Sequence, residues 1–262
     1  MLTLTRLRDM KKAGEKIAVL TAYDASFAAL AVEAGVEVLL VGDSLGMVLQ
    51  GRTSTLEVTM RDMVYHSRCA RAGAPDALVV ADMPFMSYAT PVQAMKNAAK
   101  LLSQAGAQVV KLEGGRWLAE TVAQLHQRGI PVCAHLGLLP QSIHKLGGYR
   151  VQGRDDADAA RLLEDARCLD QAGAALLVLE CIPAALAAEV TRSVSMPVIG
   201  IGCGPDCDGQ VLVLHDVIGI SRKTPRHAEN FLINQEDIKS ALAAYVAAVK
   251  SGEFPGPEHC LA

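Results

Sequence analysis

Residues 104–113 read Gln104-Ala-Gly106-Ala-Gln-Val109-Val110-Lys111-Leu112-Glu113. A helix ends in Gly, an apolar strand follows within a few residues, and the strand finishes in charge. Gly takes the left-handed backbone that closes a helix without a Cβ penalty. An apolar run without alternation belongs to a strand buried on both faces, as in a parallel sheet. The same order recurs along the chain. Glu33-Ala-Gly35 leads into Val36–Gly42 and then Asp43; Arg71-Ala-Gly73 leads into Leu78–Ala81 and Asp82. Gln127-Arg-Gly129 leads into Val132–Ala134 and His135; Gln171-Ala-Gly173 leads into Leu176–Leu179 and Glu180. Ile17–Tyr23 followed by Asp24 opens the series. Charged or polar groups thus gather at the C-terminal edge of one sheet, where α/β enzymes place their chemistry.

The spacing predicts eight strands, near 17–23, 36–42, 78–84, 108–112, 131–135, 175–180, 197–201 and 210–214. Strand–helix alternation implies right-handed crossovers and a parallel sheet. Eight units in about 200 residues fit a (β/α)8 TIM barrel; an open doubly wound sheet satisfies the same periodicity. One barrel domain over 1–262 accommodates the length. Thr90-Pro91-Val92-Gln93 predicts a capping box with Pro at the first helical position, and Thr59–Asp62 a weaker version. Pro205 and Gly209 leave room only for a very short helix after the seventh strand. Gln235–Lys250 reads as a terminal helix and Gly252–Pro257 as an exposed tail. Two insertions, Ser44–Val58 and Gly137–Asp158, fall at the catalytic edge, where long loops bind or cover ligands.

Apolar residues make up 51% of the chain but aromatics only 4%, so the core must be built from Ala, Val, Leu and Ile. A net charge of −3 offers no basic surface for nucleic acid or an anionic membrane. The N-terminus has no uninterrupted apolar segment of signal-peptide type, and no run is long enough to span a bilayer. Seven scattered cysteines, two of them (Cys133, Cys181) inside apolar patterns, fit reduced thiols in a cytosolic protein. Cys203 and Cys207 lack the second pair of a zinc site. The Gly200–Gly204 segment lacks dinucleotide-binding spacing and suits tight barrel packing.

Asp43, Asp82 and Glu113 are expected to converge, and carboxylates that converge repel unless a cation sits among them. Hard oxygen ligands with no His or Cys among them favour Mg2+ over zinc. The alternative for Asp43 and Asp82 is capping of the helices that follow, the reading preferred for Asp24. Lys111 and Glu113 share a face by strand alternation. Lys111 suits a substrate carboxylate, an ion pair, or a Schiff base. Glu180 has apolar neighbours in sequence, and burial there would raise its pKa toward that of a general base or acid; an ion-paired structural Glu is the alternative. His135 is a hydrogen-bonding group at the same rim.

Long segments in order resemble the ketopantoate hydroxymethyltransferase (3-methyl-2-oxobutanoate hydroxymethyltransferase) family. They include TAYDASFA, VGDSLGMVLQG, LVVADMPFMSYATP, VKLEGG, PVCAHLGLLPQS, GGYRVQGR, LLVLECIP and PVIGIGCGPDCDGQVLVLHD, and they run from about Leu4 to His259. The resemblance implies a (β/α)8 barrel of the phosphoenolpyruvate/pyruvate superfamily. It implies one-carbon transfer from 5,10-methylenetetrahydrofolate to 3-methyl-2-oxobutanoate, giving 2-dehydropantoate on the route to pantothenate. Asp43 and Asp82 become direct Mg2+ ligands in this light, with Glu113 a third partner, directly or through water. Ser44 and Lys111 become contacts for the substrate carboxylate, with Asp43 and Asp82 close to the keto acid. Glu180 becomes the proton acceptor, and His135 is carried over beside it. A cytoplasmic homo-decamer is also implied. Cys203 stands where the family often has Ala. Two other readings remain open: another Mg2+-dependent C–C lyase or transferase of the superfamily acting on a 2-oxo acid, and a non-catalytic binding protein on a degenerate barrel.

Overall fold

The computed structural model describes residues 2–260. Eight parallel strands follow one another in sequence order: β1 Ile17–Thr21, β2 Val38–Val41, β3 Leu78–Asp82, β4 Val109–Glu113, β5 Val132–Gly137, β6 Leu176–Glu180, β7 Val198–Ile201 and β8 Gly209–Leu212. β8 pairs back onto β1 through Val19 and Val211, so the sheet is closed and the open alternative is excluded. Strand alternation turns Val19, Leu40, Val80, Cys133, Val178 and Val211 inward around a cavity of only 20 Å³. Slender side chains fill a barrel of this size, which accounts for the aromatic-poor composition.

The outer helices are α1 Leu4–Ala13, α2 Ala25–Glu33, α4 Met60–Gly73, α5 Pro91–Ala105, α6 Ala119–Gln127, α8 Asp156–Gln171, α9 Ala184–Ser193 and α11 Ile238–Ser251. Short helices α3 Leu45–Val48, α7 Ile143–Leu146 and α10 Leu214–Val217 lie in the loops after β2, β5 and β8. Helix α1 lies outside the predicted alternation; Thr3 caps it, and its fully buried Leu7 plugs the barrel interior. As expected, Asp24 caps α2 by accepting from the Phe27 N–H. The complete capping box is at Thr59–Asp62. At Thr90 only half of it forms, because the Gln93 amide donates instead to the Met86 carbonyl.

Other details depart from the sequence reading. No helix forms between β7 and β8, and α11 begins at Ile238. Gly73 is not a left-handed cap but the last residue of α4. Glycine is needed there because a Cβ would lie 1.9 Å from the Ala25 carbonyl oxygen, where α4 crosses the start of α2. Gly252–Pro257 is not a free tail either. Phe254 is buried and meets Phe231 and Tyr245 edge to face, with ring centroids 5.5 and 6.0 Å away. Tyr245 in turn donates its hydroxyl to the Val19 carbonyl at 2.7 Å, with the Gln210 carbonyl at 3.0 Å, and so clasps the β1–β8 seam. Three of the chain's few aromatics are therefore spent on barrel closure.

Candidate active site

The strands open at their C-terminal ends into a cavity of about 1180 Å³. One further step of the inward alternation places Asp82 (β3), Lys111 and Glu113 (β4), His135 (β5) and Glu180 (β6) on its wall. Asp43 arrives differently. It lies past the end of β2, in a turn where the Leu45 N–H reaches the Gly42 carbonyl at 3.1 Å. Its own N–H donates to Asp82 Oδ2 at 3.0 Å. Neither Asp43 nor Asp82 caps a helix by a side-chain bond: α3 has none, and α5 is capped by Thr90. Ser44 lies beside Asp43, its Oγ 2.9 Å from the Tyr23 hydroxyl.

Asp43, Asp82, Lys111, Glu113 and His135 are all buried. Lys111 Nζ is 2.8 Å from Asp82 Oδ1 and 3.9 Å from Glu113 Oε1. Burial works against the Lys111 charge, but Asp82, Glu113 and Asp43 together push its pKa above the ordinary lysine value. A Schiff-base lysine needs the opposite shift, so that reading loses its support. Burial, then the charges of Asp82 and Glu113, push the Asp43 carboxyl well above the usual range. Glu113 goes the other way: burial is outweighed by His135, Lys111 and the Gln141 N–H, which hold its carboxyl below the ordinary value.

His135 stands between two acids, with Nδ1 3.3 Å from Glu113 Oε1 and Nε2 3.2 Å from Glu180 Oε2. Burial and the Lys111 charge oppose protonation, yet these two carboxylates raise the imidazole pKa to about 9. Glu180 is less sequestered than its apolar sequence neighbours implied, with 16% of its side chain exposed to the cavity. Its closest ionic partner is the imidazole rather than a Lys or Arg. Its main chain is fixed as well. The Glu180 carbonyl accepts from the Leu138 N–H at 2.8 Å, and a Cβ on Gly137, where φ is +93°, would sit 2.1 Å from that oxygen.

Gln141 was not singled out by the sequence and proves central. Its Nε2 donates to Asp43 Oδ2 at 2.7 Å and to the Met83 carbonyl at 3.0 Å, and its N–H donates to Glu113 Oε2 at 3.0 Å. Its Oε1 accepts from the Tyr88 hydroxyl at 2.6 Å. A glutamine just after Pro140 carries no sequence signal of its own. The one hint is its position at the start of the long insertion after β5. Tyr23, Tyr88, Tyr149 and His215 likewise escaped notice.

Asp43, Asp82, Glu113 and Glu180 outnumber Lys111 and His135 in this cluster, so a further cation would relieve it. Asp82 Oδ1, Glu113 Oε1 and both His135 nitrogens are buried without a well-aligned hydrogen bond, which marks a site that takes another polar partner. Among the described residues no three His, Cys, Asp or Glu side chains could enclose an ion by themselves. Asp43 and Asp82 could hold a divalent cation together with oxygens from substrate and water. Mg2+ suits that arrangement, because it keeps several waters and takes only one or two carboxylates. Replacement of Gln141 by Leu is expected to weaken divalent-ion binding about 10–100-fold, as losses of supporting hydrogen bonds do. Mn2+ titration followed by electron paramagnetic resonance measures this, and native affinity would remove Gln141 from the support of Asp43.

Solved structures share this architecture. A 2,3-dimethylmalate lyase of the PEP mutase/isocitrate lyase superfamily aligns at TM-score 0.58 with 20% identity, over 81% of each chain. Phosphonopyruvate hydrolase aligns at 0.64 with 13% identity over 84% of each chain. At such identities they show the fold alone, a (β/α)8 barrel. Sequence relatives are far closer. The 3-methyl-2-oxobutanoate hydroxymethyltransferase of Nitrosococcus oceani is 62% identical over 255 residues, covering 97% of both chains. That of Shewanella loihica is 58% identical over 259 residues, covering 98% of both. The family model described as ketopantoate hydroxymethyltransferase matches residues 1–257. With this match across the whole barrel and its acid-lined mouth, the chain belongs to the ketopantoate hydroxymethyltransferase family.

Proposed function

We propose that this chain transfers a hydroxymethyl group from 5,10-methylenetetrahydrofolate to C3 of 3-methyl-2-oxobutanoate, giving 2-dehydropantoate for pantothenate synthesis. The observation that supports the assignment of residues is the meeting of Asp43, Asp82, Glu113, Lys111 and Glu180 in one cavity. Asp43 and Asp82 would hold Mg2+, with Glu113 behind them through water. The bound ion supplies Lewis-acid polarisation of the keto oxygen. Lys111 and Ser44 orient the substrate carboxylate. Glu180, steered by His135, takes the proton from C3, a step for which a positioned base contributes about 10²–10⁴-fold. The C3 electron pair then forms the new C–C bond to the folate methylene carbon. The folate C–N bonds break and water supplies the hydroxyl oxygen, leaving tetrahydrofolate.

We place the protein in the cytoplasm as a homo-decamer, with residues 1–262 forming one barrel domain. The seven unpaired thiols among the described residues support a reducing compartment, and no helix among them is long and apolar enough to cross a membrane. The deciding assay follows 3-methyl-2-oxobutanoate in deuterated water by NMR, with and without Mg2+ and methylenetetrahydrofolate. Exchange at C3 is expected with metal alone, and hydroxymethylation only when the folate is added. Cleavage of a C–C bond in a 2-oxo acid without folate would replace this reading with that of a lyase.

A further inference from the structure

Ser44 stands at the cap position of α3, where a serine ordinarily accepts a hydrogen bond from the helix it opens. Here it does not. Its backbone is already helical, with φ −51° and ψ −19°, and its side chain makes no cap bond. Its Oγ lies 2.9 Å from the Tyr23 hydroxyl instead, and among the described residues that is its one hydrogen-bond partner. Ser44 also borders the barrel-mouth cavity, so the rest of its bonding capacity is open to a ligand.

Tyr23 is held at three points. His66 Nδ1 lies 2.9 Å from its carbonyl, Asp24 beside it caps α2, and its ring packs on His215 with centroids 5.8 Å apart. The side chain is only 1% exposed. Burial pushes the phenol pKa up, opposed by the hydrogen bonds of Ser44 and Thr21 and aided by the charges of Asp82 and Asp43. The phenol therefore keeps its proton and has one to donate.

Thr21 sets the direction in which that proton goes. Its Oγ1 accepts from the Leu214 N–H at 2.9 Å, and its hydroxyl also bonds the phenol. A backbone N–H can only donate. From that fixed end the Thr21 proton goes to the phenol oxygen, the phenol proton goes to Ser44 Oγ, and the Ser44 proton is left for the cavity. The reverse order would have Thr21 accept twice and strand its own proton, at the cost of an unmade hydrogen bond in a buried strand.

We propose that Thr21, Tyr23 and Ser44 form a one-way chain of hydroxyls that presents the Ser44 proton to the carboxylate of the keto acid, with Tyr23 and Thr21 as positioning residues. This rests on the reading of Ser44 as a contact of that carboxylate. A free hydroxyl divides its time among three staggered wells. The chain selects one well before the substrate arrives, and each bond polarises the next.

The test follows exchange at C3 of 3-methyl-2-oxobutanoate in deuterated water with Mg2+, which needs no folate, beside calorimetric Kd values for the keto acid. Tyr23→Phe keeps the ring against His215 and removes only the oxygen. Its KM and Kd are expected to rise about three- to tenfold while maximal exchange stays within about threefold of native. Ser44→Ala should raise both constants at least as far. The double variant Tyr23→Phe/Ser44→Ala should match Ser44→Ala alone, because both residues act through one proton. Thr21→Val should raise KM in the same direction and Thr21→Ser restore it, a test of the inner end that does not depend on Tyr23→Phe. Native KM in Tyr23→Phe or in Thr21→Val, or effects of Tyr23→Phe and Ser44→Ala that multiply, would overturn the chain while leaving the Ser44 contact intact. Native KM in Ser44→Ala would sink the parent contact and the chain with it.

Discussion

Glu180→Gln is expected to lower exchange of the keto-acid C3 hydrogen by about 10²–10⁴-fold while keto-acid and Mg2+ binding stay within a few-fold of native. The amide has the shape of the carboxylate and still offers an oxygen to His135 Nε2, which lies 3.2 Å from the native Oε2. The backbone that places it, fixed by the Leu138 N–H and by Gly137, is untouched. What the amide lacks is a site that can accept a proton. The variant therefore separates binding from chemistry, which truncation to Ala would not, since Ala also strands His135 beside a void. Deuterium incorporation by NMR and calorimetric titration of keto acid with Mg2+ read the two sides. Native exchange rates in the Gln variant would remove Glu180 from the mechanism and direct attention to other groups at the mouth.

Asp82→Ala carries the second large effect. Asp82 serves three neighbours: Lys111 at 2.8 Å, the Asp43 N–H at 3.0 Å and, on the proposed reading, the metal ion. Supporting groups alone are worth about 10–100-fold in metal affinity, so loss of a direct ligand is expected to cost at least about 100-fold. Stability of the metal-free protein feels two opposed changes. One acid fewer relieves Asp43, whose carboxyl is pushed up partly by Asp82, and its pKa should fall. Against this, Lys111 is left buried with Glu113 at 3.9 Å as its nearest remaining partner. Removal of one member of a buried ion pair costs roughly 3–5 kcal/mol, more than the relief of repulsion returns, so a net loss of about 3 kcal/mol is expected in denaturant titrations. Unchanged Mg2+ affinity would count against Asp82 as a ligand.

How far the site was legible follows from how each residue reaches it. Asp82, Lys111, Glu113, His135 and Glu180 all extend an apolar strand by the two-residue alternation, and that pattern is written in the chain. Asp43 was legible as a strand-end acid, but the strand does not aim it; a turn does, helped by the bond to Asp82 Oδ2. Gln141 was invisible, because its importance comes from reaching back across the barrel mouth to Asp43 and the Met83 carbonyl. Glu180 shows the limit of local inference. Apolar neighbours in sequence suggested a sealed carboxyl, whereas the cavity reaches it and its partner is the imidazole of the adjacent strand.

The fold divides in the same way. Buried strands delimited by glycine-ended helices are properties of short segments, so the chain alone determined eight parallel strands and the edge that carries the chemistry. Closure is a property of the whole sheet. It depends on β8 finding β1 across about 190 residues of chain, Val19 pairing with Val211, and on Tyr245, packed against Phe231 and Phe254, clasping that seam. For the same reason Gly252–Pro257 read as a tail: nothing local shows that Phe254 has a ring to pack against. The sequence determined which residues carry charge to the mouth of the barrel. Only the tertiary structure decided which of those charges face each other, because electrostatic partnership depends on distance in space and on burial, and neither is a property of neighbours along the chain.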